Sequence, residues 1–89
     1  MNINNILNIK YPIIQGGMAH ISTAEFAAKV SELGALGQIA SGGFTAEQVR
    51  SGIKKIRTLT DKAFGVNVVI LNKDIDKLAE VVIEEKVDI

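Results

Sequence analysis

Three times along the chain, a short aliphatic run gives way to a small-residue loop and then to a stretch with apolar positions every three or four residues. The first run is Tyr11-Pro12-Ile13-Ile14, which leads through Gln15 into Gly16-Gly17-Met18-Ala19. Ile13 and Ile14 predict a short buried strand. Pro12 suits its first residues, where a missing N–H does least harm. The glycine pair lets the backbone turn sharply and come close to something flat or anionic. Ser22-Thr23-Ala24-Glu25 fits a capping box, with Ser22 as the cap and Glu25 reaching back. The helix it starts is predicted to run to about Leu33. Phe26, Ala27, Val30 and Leu33 form its apolar face, and Glu25, Lys29 and Glu32 stay in water. Gly34 is the expected left-handed stop.

The pattern then repeats. A second strand, Leu36-Gly37-Gln38-Ile39-Ala40, opens into Ser41-Gly42-Gly43-Phe44. Thr45 and Gln48 predict a second capping box. The helix after it buries Val49, Ile53, Ile56 and Leu59 and shows Arg50, Lys54, Lys55 and Arg57 to water. Its interior Gly52 costs about 1 kcal/mol relative to alanine. The third strand, residues 64–70, is almost continuously apolar, which suits a parallel strand covered on both faces. Asn67 interrupts it. Asn72 or Asp74 then caps a third helix with Ile75, Leu78, Ala79, Val82 and Ile83 on one stripe. Val87-Asp88-Ile89 reads as the first residues of a fourth strand. Ahead of all this, Ile3, Ile6, Leu7 and Ile9 form one stripe weakened by asparagines; in a barrel this lead-in would cover the bottom.

The order β-α-β-α-β-α-(β) implies parallel strands with right-handed crossovers. Two α/β architectures compete. A Rossmann site needs G-x-G-x-x-G after the first strand and an acidic residue near the end of the second. Gly16-Gly17-Met18-Ala19-His20-Ile21 has no third glycine at the right offset, and Ala40-Ser41-Gly42 offers no carboxylate. A Walker A loop is also missing. In a (β/α)8 barrel, loops after the strands build the site face. Gly16-Gly17-Met18, Ser41-Gly42-Gly43 and Asn67 would then converge.

Composition narrows the function classes. The 89 residues allow one small domain, 47% hydrophobic and poor in aromatics. Ten basic and ten acidic residues give zero net charge, which argues against a nucleic-acid partner. No apolar run reaches the roughly 20 residues of a membrane span. The N-terminus lacks the basic start and apolar core of a signal peptide. Zero cysteines exclude disulfides, thiol catalysis and Cys-based metal sites from this chain and are compatible with the cytoplasm.

Each candidate residue has a plain structural reading beside the functional one. Gly16 and Gly17 suit an ordinary tight turn. Met18 suits a core gap-filler, and His20 a loop histidine near a helix start. Ser41 and Gly42 read as loop geometry. The Lys54-Lys55-Arg57 cluster and Glu80, Glu84 and Glu85 read as solvated helix faces. Asn67, polar inside an apolar strand, must find partners or cost about 1–3 kcal/mol. A structural hydrogen bond and a ligand contact both meet that need.

Tyr11-Pro-Ile-Ile-Gln-Gly-Gly-Met-Ala19, Leu33-Gly-Ala-Leu-Gly37 and Leu59-Thr-Asp-Lys-Ala-Phe-Gly-Val-Asn67, in register, closely resemble the nitronate monooxygenase family, formerly called 2-nitropropane dioxygenases. Within it, the chain is most similar to the flavin-dependent enoyl-acyl-carrier-protein reductases. The resemblance implies that residues 1–89 are a partial domain, the N-terminal β-α-β-α-β-α portion of an FMN-binding (β/α)8 TIM barrel. It implies flavin contacts at Gly17, Met18, Ala19, Asn67 and Val69, with no catalytic or metal-binding residue in this segment. It also implies NAD(P)H as a co-substrate and a nitronate, or an enoyl thioester on acyl carrier protein, as substrate. A barrel of this class needs about 250 residues. The family's catalytic histidine and later phosphate-binding loops match nothing here; His20 lies in the wrong motif. The alternative is therefore a non-catalytic barrel fragment that needs self-association, as a homo-oligomer, or a partner for stability. An IMP-dehydrogenase-like barrel is a third reading, and would call for a cysteine nucleophile that this chain lacks.

Overall fold

In the computed structural model, which describes residues 2–18 and 23–89, the alternating pattern becomes α1 (Ile3–Leu7), α2 (Ala24–Glu32), β1 (Gly37–Ala40), α3 (Ala46–Leu59), β2 (Phe64–Asn67) and α4 (Ile75–Glu84). Strands β1 and β2 pair in parallel, from Gly37 opposite Phe64 to Ala40 opposite Asn67. The first predicted strand contributes a single parallel bridge, Ile14 to Leu36. Two backbone hydrogen bonds of 2.9 Å flank it, Leu36 N–H to Ile13 O and Gln15 N–H to Leu36 O. On the far side of the sheet, Val66 N–H donates to Ile89 O at 3.0 Å. The last residues thus enter the sheet beside β2, as expected, with one bond instead of a strand.

Spatial order therefore follows chain order: the 13–15 segment, β1, β2, then the residues around Ile89. The common doubly wound orders break that sequence within the first four strands. Helix α2 packs on α3, and α3 on α4. The three line one face of the sheet, where Ile39 and Val66 join Ala27, Val49, Ile53, Ile56 and Leu78 in one apolar cluster. Parallel strands in chain order with successive helices side by side are the N-terminal portion of a TIM barrel.

The other face of the sheet is the barrel's inner side. There a groove of about 420 Å³ is lined by Ile3, Ile6, Leu7, Ile14, Leu36, Gln38 and Ile89. Helix α1 therefore covers the lower end of the inner face, as expected. Ile13 and Ile14 are 58% and 45% exposed, which corrects the expected buried strand. A barrel strand is buried by the full ring of its neighbours, and among the described residues only α1 and one strand flank Ile14. β2 also ends earlier than expected, at Asn67. The chain then turns, leaving Ile70 and Leu71 exposed.

Helix α2 corrects two expectations. Its cap is Thr23, whose Oγ1 accepts from Phe26 N–H at 3.2 Å; Ser22 lies outside the described residues. Its buried face is Ala24, Ala27, Ala28 and Ser31, while Phe26 and Leu33 face outward. The cause is the close approach of β1. A Cβ built on Gly37 would stand 2.0 Å from Ala27 O and 2.8 Å from Ser31 Oγ. Ser31 Oγ accepts from the buried Gly37 N–H at 3.0 Å. Only small side chains fit that seam. Gly34, at φ +102°, ends the helix region as expected.

Helix α3 has the expected capping box, with Gln48 N–H donating to Thr45 Oγ1 and Thr45 N–H to Gln48 Oε1. Ala46, Val49, Ile53 and Ile56 are buried; Leu59, the last helical residue, is exposed. At Gly52 an added Cβ would meet only Ile39 side-chain atoms, at 3.8 Å, an ordinary contact. Gly52→Ala is therefore expected to raise stability by about 0.5–1 kcal/mol, read as an upward shift of the urea midpoint.

Helix α4 buries Leu78 and Val81 and exposes Ala79 and Ile83, because among the described residues only α3 packs along it. The charged faces are less solvated than expected. Arg50 reaches Glu84 at 3.0 Å and Glu85 at 2.9 Å, and Arg57 reaches Glu85 at 3.3 Å. These pairs join α3 to α4, and Glu84 and Glu85 hold the Arg50 pKa above its ordinary value. Lys55 stands 2.7 Å from Glu25 and holds that carboxyl below the usual glutamate range.

Candidate functional site

The C-terminal ends of the strands are where a parallel barrel builds its site, and here they bring two distant motifs together. Side chains alternate along a strand. Ile39 and Val66 point to the helices, so Gln38 and Asn67 point to the inner face. A Cβ built on Gly17 would lie 2.7 Å from Asn67 Cβ and 3.0 Å from its Nδ2. The glycine loop therefore packs directly on the Asn67 side chain. A side chain at position 17 would occupy the contact surface itself, which gives the glycine there a specific cause.

Asn67 is half-buried, and its side-chain amide makes no hydrogen bond among the described residues. The amide presents both donors and an acceptor beside Gly17, whose N–H is also unpaired among the described residues. Met18, next along the loop, is 42% exposed. Ala19 and His20 fall outside the described residues. Val69 is half-buried, and its N–H donates to Ser41 Oγ at 3.0 Å. The structure thus brings Gly17 and Asn67 together and ties Val69 to the neighbouring loop.

Ser41 supplies loop geometry, as expected. It is fully buried, and its carbonyl accepts from Asn72 Nδ2 at 2.9 Å. The same Nδ2 donates to Phe44 O at 2.9 Å. Asn72 Oδ1 accepts from Asp74 N–H at 2.7 Å. Asp74 occupies the cap position of α4 but makes no side-chain cap bond there. Its Oδ2 instead accepts from Ala46 N–H, at the start of α3, at 3.0 Å. That corrects the expected capping of α4 by Asp74 or Asn72: one braces the loops and the other caps the preceding helix. Asp74→Ala removes a carboxylate from a helix N-terminus and is expected to cost about 1 kcal/mol. Denaturant unfolding checks it, with no change in the slope.

Sequence reasoning missed Gln15 and Gln38. Gln15 lies just before the glycine pair, and Gln38 lies inside β1. Their side chains bond to each other's backbones, Gln38 Nε2 to Gln15 O at 3.0 Å and Gln38 N–H to Gln15 Oε1 at 2.9 Å. The available signal was the one that singled out Asn67, an amide in an otherwise apolar strand. Among the described residues, no group of three His, Asp or Glu could hold a metal ion. Among them, too, no helix is long and apolar enough to cross a membrane.

Comparison with known proteins agrees with this architecture. The family model described as nitronate monooxygenase matches residues 2–88. A protein of Staphylococcus haemolyticus named "Probable nitronate monooxygenase" is 50% identical over 64 residues, which are 72% of this chain and 18% of that protein. A protein of the same name from Staphylococcus aureus is 44% identical over 68 residues, 76% of this chain and 19% of its own length. Among solved structures, FabK from Thermotoga maritima superposes with a TM-score of 0.93 at 45% identity, over 96% of this chain and 27% of its own. A nitroalkane oxidase from Streptomyces ansochromogenes gives 0.68 at 40% identity, over 74% of this chain and 19% of its own. The chain spans about a fifth of the length of these curated relatives. It belongs to the nitronate monooxygenase family, close to FabK, and corresponds to the N-terminal part of the family's barrel.

Proposed function

We propose that this segment forms the first wall of an FMN site in a cytoplasmic oxidoreductase of the nitronate monooxygenase and enoyl-acyl-carrier-protein reductase type. The observation that carries the reading is the packing of Gly17 on Asn67 at the site end of the sheet. An isoalloxazine ring needs hydrogen-bonding groups at its edge and flat, close-approaching backbone beside it. The unpaired Gly17 N–H and Asn67 amide fit the first need, and the glycine loop fits the second. Met18 adds a polarizable side chain suited to an aromatic face, and Ala19 and Val69 are assigned to the same cofactor by the family motif. A bound flavin would supply the hydride or electron transfer, with NAD(P)H as co-substrate and a nitronate or an enoyl thioester as the substrate. The residues of this segment bind and orient; none is assigned as acid or base.

A second reading is favoured by the exposed apolar residues Ile13, Ile14, Ile70 and Leu71. Open sheet edges and uncovered apolar positions invite pairing. On this reading the segment works only when further barrel strands or a second copy cover them. Gel filtration of the purified chain with FMN, read at visible wavelengths, separates the two. Flavin absorbance co-eluting with a compact species, and lost in Asn67→Leu, supports the site. A compact but colourless species argues against it, and a colourless aggregate favours the second reading.

A further inference from the structure

Beyond Leu36, the ladder between the first strand and β1 changes partners. Up to that point backbone meets backbone, through Leu36 N–H to Ile13 O and Gln15 N–H to Leu36 O. In a regular parallel ladder the next rungs would run from Gln38 N–H to Gln15 O and from Gly17 N–H to Gln38 O. Neither forms. Gln38 N–H donates instead to Gln15 Oε1 at 2.9 Å, and Gln38 O accepts from Gln15 Nε2 at 3.2 Å. Gln15 O accepts from Gln38 Nε2 at 3.0 Å. A side-chain amide carries the same donor and acceptor pair as a peptide group. The amide of Gln15 stands in the sheet where a backbone peptide would otherwise stand.

We propose that Gln15 is a positioning residue whose amide replaces one peptide of the ladder and holds Gly16 O through Nε2 at 2.7 Å, so that the Gly17 backbone leaves the sheet and reaches Asn67. Without that replacement, Gln38 would leave a donor and an acceptor unmet within the sheet, at a cost that draws the backbone back. With it, Gly17 N–H stays out of the ladder, in the residue that packs on Asn67. The two form a short polar edge suited to a planar heterocycle with alternating acceptors and donors. The length of a glutamine side chain and both functions of an amide are needed; leucine or methionine supplies neither function, and a glutamate carboxylate cannot donate.

The wild-type chain tests this without any ligand. In a doubly labelled sample, the scalar coupling across the hydrogen bond from Gln38 nitrogen is expected at the Gln15 side-chain carbonyl carbon. Coupling to the Gln15 backbone carbonyl overturns the proposal. Two variants extend the test. Gln15→Met is expected to lose the nuclear Overhauser contact between Gly17 Hα and Asn67 Hβ. Gln38→Met removes only the return bond to Gln15 O and is expected to keep it. Persistence of the contact in Gln15→Met, or equal loss in both, overturns the positioning role. If Gln15→Met does not fold, the wild-type coupling decides. Only the final arm rests on the flavin reading: Gln15→Met is expected to bind FMN about tenfold more weakly, the scale of one good hydrogen bond. A wild type that shows the side-chain coupling but binds no FMN would sink the flavin reading and leave the role of Gln15 standing.

Discussion

Gly37→Ala is expected to cost this chain about 3 kcal/mol of stability or more. The new Cβ would sit 2.0 Å from Ala27 O and 2.7 Å from the Ala27 carbonyl carbon. Both are backbone atoms in the middle of α2, so no rotamer change removes the clash. The helix must move off β1, which breaks the buried Gly37 N–H bond to Ser31 Oγ and loosens Ala24, Ala27 and Ala28. Overpacking of a core typically costs about 1–3 kcal/mol, and a clash with fixed backbone lies at or above the top of that range. A small domain holds only about 5–15 kcal/mol in total. Loss of the cooperative thermal transition, or a fall in midpoint of many degrees, is the expected readout. A stability within 1 kcal/mol of wild type would show that the seam between α2 and β1 is looser than described.

Gly17→Ala should separate ligand contact from folding. Gly17 lies in an exposed loop, so the loop can shift without disturbing the core. Its cost in stability is expected to stay within about 1 kcal/mol, because the exposed loop gives way before the core does. The contact on Asn67 cannot survive unchanged, because the added Cβ would lie 2.7 Å from Asn67 Cβ and 2.9 Å from Cγ. Displacing the loop by even an ångström misaligns both hydrogen-bonding groups. FMN affinity is expected to fall by about tenfold or more, with the urea midpoint nearly unchanged. Equal affinity in Gly17→Ala and wild type would remove position 17 from the flavin wall.

The parts of the fold that depend on local pattern were legible. The capping box at Thr45 and Gln48, the stop at Gly34 and the approach of Ile89 to β2 all follow from short stretches of sequence. The face that α2 buries did not. Phe26, Ala27, Val30 and Leu33 have helical spacing, and so do Ala24, Ala27, Ala28 and Ser31. The choice between them is made by Gly37, a residue outside the helix that brings the strand too close for large side chains. Asp74 was misassigned for the same kind of reason: its carboxylate caps α3, a helix far back along the chain. Arg50 and Glu85 were read as solvated because the partner helix is invisible to a helical wheel.

At the site, Asn67 stood out because a polar side chain in an apolar strand requires an explanation. Gly17 stood out through its motif, and its packing on Asn67 supplies a physical reason for both. Gln15 did not stand out. A glutamine beside a glycine pair resembles any loop residue until the ladder it completes is seen. The Val69 N–H is engaged by Ser41 Oγ, which ties its backbone to the neighbouring loop.

An FMN titration of the 15N-labelled chain reads the proposed flavin contact of Gly17 and Asn67 at the atoms themselves. Saturable shifts are expected, concentrated at the Gly17 backbone N–H and the Asn67 side-chain NH2, with smaller ones at Met18 and Val69. Saturable shifts centred instead on the opposite end of the sheet, around Lys62 and Lys86, or no saturable shift at Gly17 and Asn67, would contradict it.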